Sequence, residues 1–345
     1  MNHGIRANGS QVNGPTSLAV DSQGRLLLIE REENKVRRLD LRTGKIVTIA
    51  GNGKRCCYRE GAKATEVSLG FLSSLAVDSE GNVFIGEGGQ IKQIDGHTGL
   101  ISTIAGDGKD GETVDGMNAR SAHFWGIDSL ALDRNQDLLV ADDSQTRIFI
   151  LDKKNGTIHR YAGSGKFGYA GDGGLAIAAS FRFPSGLATD SPGNLIIADY
   201  ENCAIRRIDR ETGVIMTIAV TGGVEQNCKQ KPDNSRPGAF PSDTAVDPAG
   251  NIYYVEGAMD LVFRVDAKTS AISVFAGSGQ RGFAGDNGPA TKARLANPSG
   301  LAIDMEGNVF IAEYMNNRIR RVDAKTRVIT TVLGNGLPVR VYEQL

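Results

Sequence analysis

The sequence predicts an all-β chain folded as a six-bladed β-propeller with four antiparallel strands in each blade. Three observations carry this. A unit of four short apolar runs separated by turn signals occurs six times. The Asp that closes each first run falls at Asp21, Asp78, Asp133, Asp190, Asp247 and Asp304, at spacings of 57, 55, 57, 57 and 57 residues. Each run holds about four to six residues, too short for a helix that must bury a face. Such a unit cannot bury both its faces alone, so copies at a fixed period stack face to face and close into a ring.

The last copy, Pro298 to Gly334, shows how each element arises. Leu301 to Asp304 is a first strand closed by Asp304-Met305-Glu306-Gly307-Asn308, where Asp bonds the backbone ahead and Gly supplies positive φ. Val309 to Glu313 is a second strand, rich in β-branched and aromatic residues and ended by the polar Met315-Asn316-Asn317. Ile319 to Val322 alternates with arginines, as a half-exposed strand does, and Asp323 to Thr326 turns the chain into a fourth strand, Val328 to Leu333. The other copies begin at Pro15, Leu72, Gly126, Pro184 and Pro241. First strands are expected to line a central channel and fourth strands to lie outside. Residues 1–14 read as an N-terminal arm, 15–334 as a single propeller, and 335–345 as a tail meeting the arm at the seam between blades six and one.

Composition agrees. A single closed ring uses nearly all of the 345 residues, and 44 glycines suit a fold with a turn every ten residues or so. A net charge of -1 gives no global attraction for nucleic acid or an anionic membrane, so neither is expected as a partner. The start, MNHGIRANGSQVNG, lacks an apolar signal core, which suggests a cytoplasmic protein or a secreted one whose signal has been removed. The four cysteines follow no zinc spacing; Cys56 and Cys57 are adjacent, and Cys203 and Cys228 fall on the same side of blades four and five, where they could pair or stay free.

The units resemble NHL repeats, most clearly in PSGLATDSPGNLIIADYENCAIRRID (Pro184 to Asp209) and in the last copy. The connectors GSGKFGYAGDGGLAIAASFRFP and GSGQRGFAGDNGPATKARLANP are similar to the glycine-rich crossovers of bacterial NHL proteins. The resemblance implies a six-bladed propeller. It leaves activity open, because NHL propellers include binding scaffolds and propeller enzymes such as lyases.

Function is expected on one face. The crossovers hold 20, 19, 20, 20 and 20 residues, and loops so long are uncommon without a role. They should lie at the top, with the breaks between second and third strands, while the tight Asp-x-x-Gly and Thr-Gly turns of the bottom are structural. The acidic residue ending each second strand, Glu30, Glu87, Asp142, Asp199, Glu256 and Glu313, reads as a ladder partner of third-strand arginines such as Arg37, Arg206 and Arg320 rather than as a metal ring. Asp172 and Asp286, in the matching GYAGDGG and GFAGDNG, are expected to bind nearby backbone amides.

The residue before each unit, pointing into the channel mouth, is Gly14, Phe71, Trp125, Phe183, Phe240 and Asn297. These rings either plug the core or wall a pocket for an apolar or cationic ligand. Copy three departs most: His123 stands where other copies have Val12, Leu69, Phe181 and Leu295, and Asp128 where they have Gly186 and Gly300, as Asp243 does in copy five. Tyr200, Tyr314 and Asp143 follow second strands on the same face. Two readings result. In one, the mouth binds a small molecule, peptide or protein partner against Phe71, Trp125, Phe183, Phe240, Tyr200 and Tyr314. In the other, a lyase, cyclase or hydrolase works there with His123, Asp128 and Asp243 as acid, base or anchor, without a cofactor or with a divalent cation.

Overall fold

The computed structural model describes residues 9–54, 58–109, 111–221 and 240–337. These form six antiparallel sheets in which strand order follows chain order, and helix among them is limited to three-residue 3₁₀ turns. Blade one is Pro15–Val20, Arg25–Glu30, Lys35–Asp40 and Lys45–Ala50. Blade four is Pro184–Thr189, Leu195–Asp199, Ala204–Ile208 and Ile215–Val220. The fold is the six-bladed propeller that the 57-residue period implies.

The first strand of blade three is Ile127–Leu132, one residue later than the Gly126 start read from the sequence. Ile127 faces Asp142 across the ladder as Pro184 faces Asp199. Four copies mark this position with proline, and blade three, which has isoleucine, hides it. The shift carries upstream. Phe124, not His123, is the counterpart of Phe181 and fills the gap between blades two and three; Gly126, not Trp125, is the counterpart of Phe183; and Ser129, not Asp128, is the counterpart of Gly186, so that Asp128 stands where blade four has Ser185.

The bottom turns are built as expected. Asp21 Oδ1 accepts the amides of Gln23 and Arg25 at 3.0 and 2.9 Å, and Asp40 Oδ1 accepts those of Arg42 and Thr43 at 2.9 Å each. The described crossovers, into blades two, three, four and six, differ from expectation, since only their second halves lie over the top. Their first halves run down the outer edge of the next blade: Gly61 donates to Ile101 O at 2.9 Å, and Gly173 to Ile215 O at 2.8 Å. In blades three and six, Met117–Asn118 and Gly288–Pro289 pair as short fifth strands. An outer strand left bare would offer unpaired amides to any other chain, so this length has a structural use. On the way back each described crossover, and the segment leading into blade one, drops an apolar side chain between blades, with Val12, Leu69, Phe124, Phe181 and Leu295 all buried.

The second-strand carboxylates hold those returning segments. Asp142 accepts the Trp125 amide at 3.0 Å, Asp199 that of Arg182 at 2.8 Å, and Glu313 that of Ala296 at 3.0 Å. Three also pair with third-strand arginines: Glu30 with Arg37 at 3.0 Å, Asp199 with Arg206 at 3.4 Å and Glu313 with Arg320 at 3.1 Å. They are structural, as the alternation of charge suggested.

Arg206 and Arg320 are fully buried, and here the glycine-rich crossovers explain themselves. Arg206 reaches Asp172 at 2.8 Å and donates to the carbonyls of Ser180 and Ala170 at 2.8 and 3.0 Å; Arg320 reaches Asp286 at 2.7 Å. The expectation that these two Asp residues serve backbone amides holds only for one oxygen of Asp172, on Thr217 N at 3.0 Å. Their main partner is a guanidinium that loses its water on folding and needs two carboxylates and two carbonyls in exchange. Cys203 is half of a disulfide; Cys228, a partner the sequence allows, lies outside the described residues, as do Cys56, Cys57 and the tail from residue 338 on.

Asp172→Ala should lower stability by about 1–3 kcal/mol, because a buried charge loses one of its two counter-ions while Asp199 remains. Denaturant unfolding of the two proteins measures this, and an unchanged midpoint would contradict the role given to Asp172.

Candidate functional site

The channel floor is made by the second and third residues of the first strands. Ser17, Ser74 and Ser129 each accept, through Oγ, the amide of the leucine in the next blade: Leu75 at 3.1 Å, Leu130 at 2.9 Å and Leu187 at 3.0 Å. Asp243 does the same for blade six, its Oδ2 accepting Leu301 N at 2.8 Å while Oδ1 takes Thr244 N at 2.8 Å. Where this position is Gly300, the blades touch through backbone, and a Cβ there would overlap the Thr16 carbonyl. The six first strands thus form one hydrogen-bonded or close-packed ring around a cavity of about 200 Å³. Asp243 lines that cavity, half-buried, and desolvation pushes its carboxyl up to about 7 against the pull of its two amide donors. Its bonds give it the fastening task of the three serines.

Above the floor lies a wider pocket of about 420 Å³ between blades three, four and five, lined by Asp128, Asp143, Phe183, Ser185, Tyr200, Glu201 and Ser242. Two positions of the repeat make its wall: the residue before the first strand and the residue after the second. Elsewhere this pair is Phe183 with Tyr200 or Phe240 with Gly257; in blade three it is Gly126 with Asp143. The two depend on each other, because a Cβ on Gly126 would come within 2.5 Å of Asp143 Oδ1. The ring that blade three lacks is the space its carboxylate uses.

Asp128 stands beside Asp143 at the mouth. Its carboxyl is pushed up to about 7, first by desolvation in the narrow cup, then by the charge of Asp143 and a hydrogen bond with it, with Asp142 adding and Arg31 opposing. The aromatic wall is ordered: Tyr200 stacks on Phe240 with centroids 5.0 Å apart, and Phe183 lies 5.6 Å from Phe167. Phe183 has φ of 55°, a left-handed conformation awkward for a bulky side chain, at a position that blades one and six give to Gly14 and Asn297 at 56° and 48°.

The remaining sequence candidates sit apart from this pocket. His123 lines neither cavity; its Nδ1 lies 3.0 Å from Asp107 Oδ1, and its ring packs against the Gly111 backbone. Trp125 is 59% exposed and its indole donates to Gly111 O at 2.6 Å; Phe71 is 74% exposed on blade two. Tyr314 bonds Glu32 across the seam of blades six and one. Sequence reading named Asp128, Phe183, Tyr200 and Phe240, noted Asp143 without placing it in the site, and missed Ser185, Glu201 and Ser242. The signal for Asp143 was present as a coincidence of departures, Gly126 and Asp143 in one copy. Among the described residues no three His, Cys, Asp or Glu side chains are grouped to hold a metal ion, and no helix is long and apolar enough to cross a membrane.

Six blades, each closed within itself, and turns of Asp-x-x-Gly type define a repeat propeller. The family models for the NHL repeat and the teneurin NHL domain match residues 181–208 and 264–340. The chain thus contains NHL-repeat sequence and folds as a propeller of the kind such repeats build. It is 25% identical over 331 residues to protein SUPPRESSOR OF QUENCHING 1, chloroplastic, of Arabidopsis thaliana, covering 91% of this chain and 30% of that protein. It is 24% identical over 345 residues to human NHL repeat-containing protein 2, covering 94% and 40%. The chain therefore spans well under half the length of these relatives. Among solved structures, virginiamycin B lyase from Staphylococcus aureus superposes with a TM-score of 0.54 over 98% of this chain and 88% of the other, at 15% identity, a likeness of fold.

Two outcomes follow from the site. Between its ordinary value of 3.8 and about 7, the Asp243 carboxyl is ionised when unfolded and protonated when folded, so ionisation erodes stability across that window and adds no slope outside it. Asp243→Asn keeps an acceptor for Leu301 and removes the charge, so its stability relative to the natural protein should rise from pH 4 to 7 and level off above; Asp243→Leu should lose about 1–2 kcal/mol throughout. Unfolding midpoints at a series of pH values read both, and parallel curves for the Asn variant would refute the assignment. Phe183→Asn, which restores the residue type used at Asn297, should cost no stability and gain up to about 1 kcal/mol, since it relieves the left-handed strain; a clearly lower melting temperature would show that the ring is needed for packing.

Proposed function

We propose that this propeller binds a small molecule at the top mouth of its channel, in the pocket between blades three, four and five. The observation that carries the reading is the pocket itself: Phe183 and Tyr200 together with Asp128 and Asp143 line a volume of about 420 Å³, the size and mixed character of a ligand site. No core role accounts for these side chains, and Phe183 holds a costly left-handed backbone conformation that blades one and six give to Gly14 and Asn297. Strain of this kind gathers at binding sites, where stability is traded for shape.

A second reading has a specific observation behind it. Asp128, its carboxyl near 7, could take up or give a proton at neutral pH, as an acid or base in an elimination or hydrolysis requires. The fold is shared with virginiamycin B lyase, so the architecture admits such chemistry. His123 and Asp243 have smaller parts in this reading, one being turned toward Asp107 and the other engaged with Leu301.

A thermal-shift screen of a metabolite library against the natural protein and Tyr200→Ala tests the site. Compounds that raise the melting temperature of the first and fail to do so for the second are the expected result. Compounds that stabilise both equally would place binding elsewhere. Recovery of chemically altered compound after incubation, lost in Asp128→Asn, would decide for the enzyme.

A further inference from the structure

The pocket combines two features that select for one kind of ligand charge. Its wall is aromatic, lined by Phe183 and by Tyr200, whose ring is backed by Phe240 at 5.0 Å. Its blade-three side is acidic, with Asp128 and Asp143 side by side and Glu201 on the rim. The neighbouring cations do not cancel this. Arg182 is tied to Glu201 at 3.0 Å, and Arg31 lines the channel cavity, not the pocket. Ring faces are negative at their centres and attract cations, more strongly where water is sparse. An anion would meet two carboxyls with only the neutral hydroxyls of Ser185, Ser242 and Tyr200 to receive it, and a purely apolar ligand would strip water from Asp128 and Asp143 without replacing it.

We propose, building on the reading that the mouth binds a ligand, that the ligand is an organic cation, a quaternary or protonated amine, whose head lies between Phe183 and Tyr200 and whose charge faces Asp128 and Asp143. The acid pair accounts for the coincidence, in blade three, of Gly126, which leaves room, with Asp143, which fills it. Aromatic side chains supply contact area and polarisable faces, and the carboxylates supply discrimination against uncharged molecules of the same shape. A cation would also favour ionisation of Asp128, so binding should strengthen as pH rises through about 7, with Asp143, Asp142 and Arg31 the charged groups acting on that carboxyl.

The test uses choline and its uncharged isostere 3,3-dimethylbutan-1-ol, titrated calorimetrically into the natural protein, Tyr200→Ala and Asp128→Asn, with unfolding curves to show that the variants are folded. Choline should bind about tenfold or more tighter than the alcohol, and each variant should weaken it by about tenfold, a loss near 1.4 kcal/mol. Equal binding of choline and the alcohol, no choline binding at about 10 mM, or choline binding that ignores both substitutions would overturn the cation assignment. The metabolite screen then separates the two levels. Screen compounds that depend on Tyr200 while choline is silent leave the mouth as the site and remove only its preference for cations. A screen in which nothing depends on Tyr200 removes both.

Discussion

Much of this propeller hangs on buried carboxylates at the tops of the blades. Asp142, Asp199 and Glu313 each end a second strand and accept an amide from the crossover returning to the same blade. A charge-assisted bond of this kind is stronger than one between neutral groups, and inside a dry blade end it has no water to compete with it. It fixes where the crossover descends, hence which residue starts the first strand, hence what faces the channel. The arrangement explains why acidic residues recur where a sheet core would favour apolar ones: each satisfies a backbone donor that the turn from crossover to strand would otherwise leave stranded. Burial raises the carboxyls of Asp142 and Glu313 and takes that of Asp199 to about 6, and the surrounding donors pull the other way.

The mouth is the one place where the repeat relaxes. Blades four and six are near copies, down to the buried arginine and the aspartate of the glycine-rich crossover that meets it. Blade three shares the scaffold but places Gly126 and Asp143 where blade four has Phe183 and Tyr200. The asymmetry that shapes the mouth thus lies in side chains above the floor, while the floor position, whether serine, Asp243 or glycine, serves contact between blades. A propeller can vary its mouth in this way because the ring of first-strand contacts beneath it joins the blades, and wall contacts such as Tyr200 on Phe240 only add to that ring.

Architecture was legible because it is written six times. The Asp-closed turns fix the period, and each copy corrects the others. Blade three shows the limit of that redundancy. Its strand start lacks the proline that marks four of the others, and counting from Gly126 moved His123 and Trp125 onto positions that belong to Phe124 and Gly126. Anchoring on Asp133 instead, 57 residues before Asp190, gives the register found. The site was harder, since the neighbours that matter, the residue before the first strand and the residue after the second, meet only once the pairing of Ile127 with Asp142 is known. Crossover residues along the outer edge were misplaced for a related reason: twist carries the fourth strand away from the axis, and nothing in a linear count reports where a loop runs.

Closure of the ring has a mechanical consequence. Blade six ends with its own fourth strand and blade one begins with its own first, so among the described residues no strand crosses the last interface. That seam is held by side chains: Val12, Leu18, Leu28, Phe310 and Leu333 in one apolar cluster, Ser299 on the Pro15 carbonyl at 3.0 Å, and the Gly14 amide on Asn317 at 2.9 Å. A pull on Pro15 and Leu333 would load these contacts at once, before any backbone ladder shares the force. Under tension the molecule is therefore a clasp with a designated point of opening, and it would part into an intact row of blades well before any blade unravels.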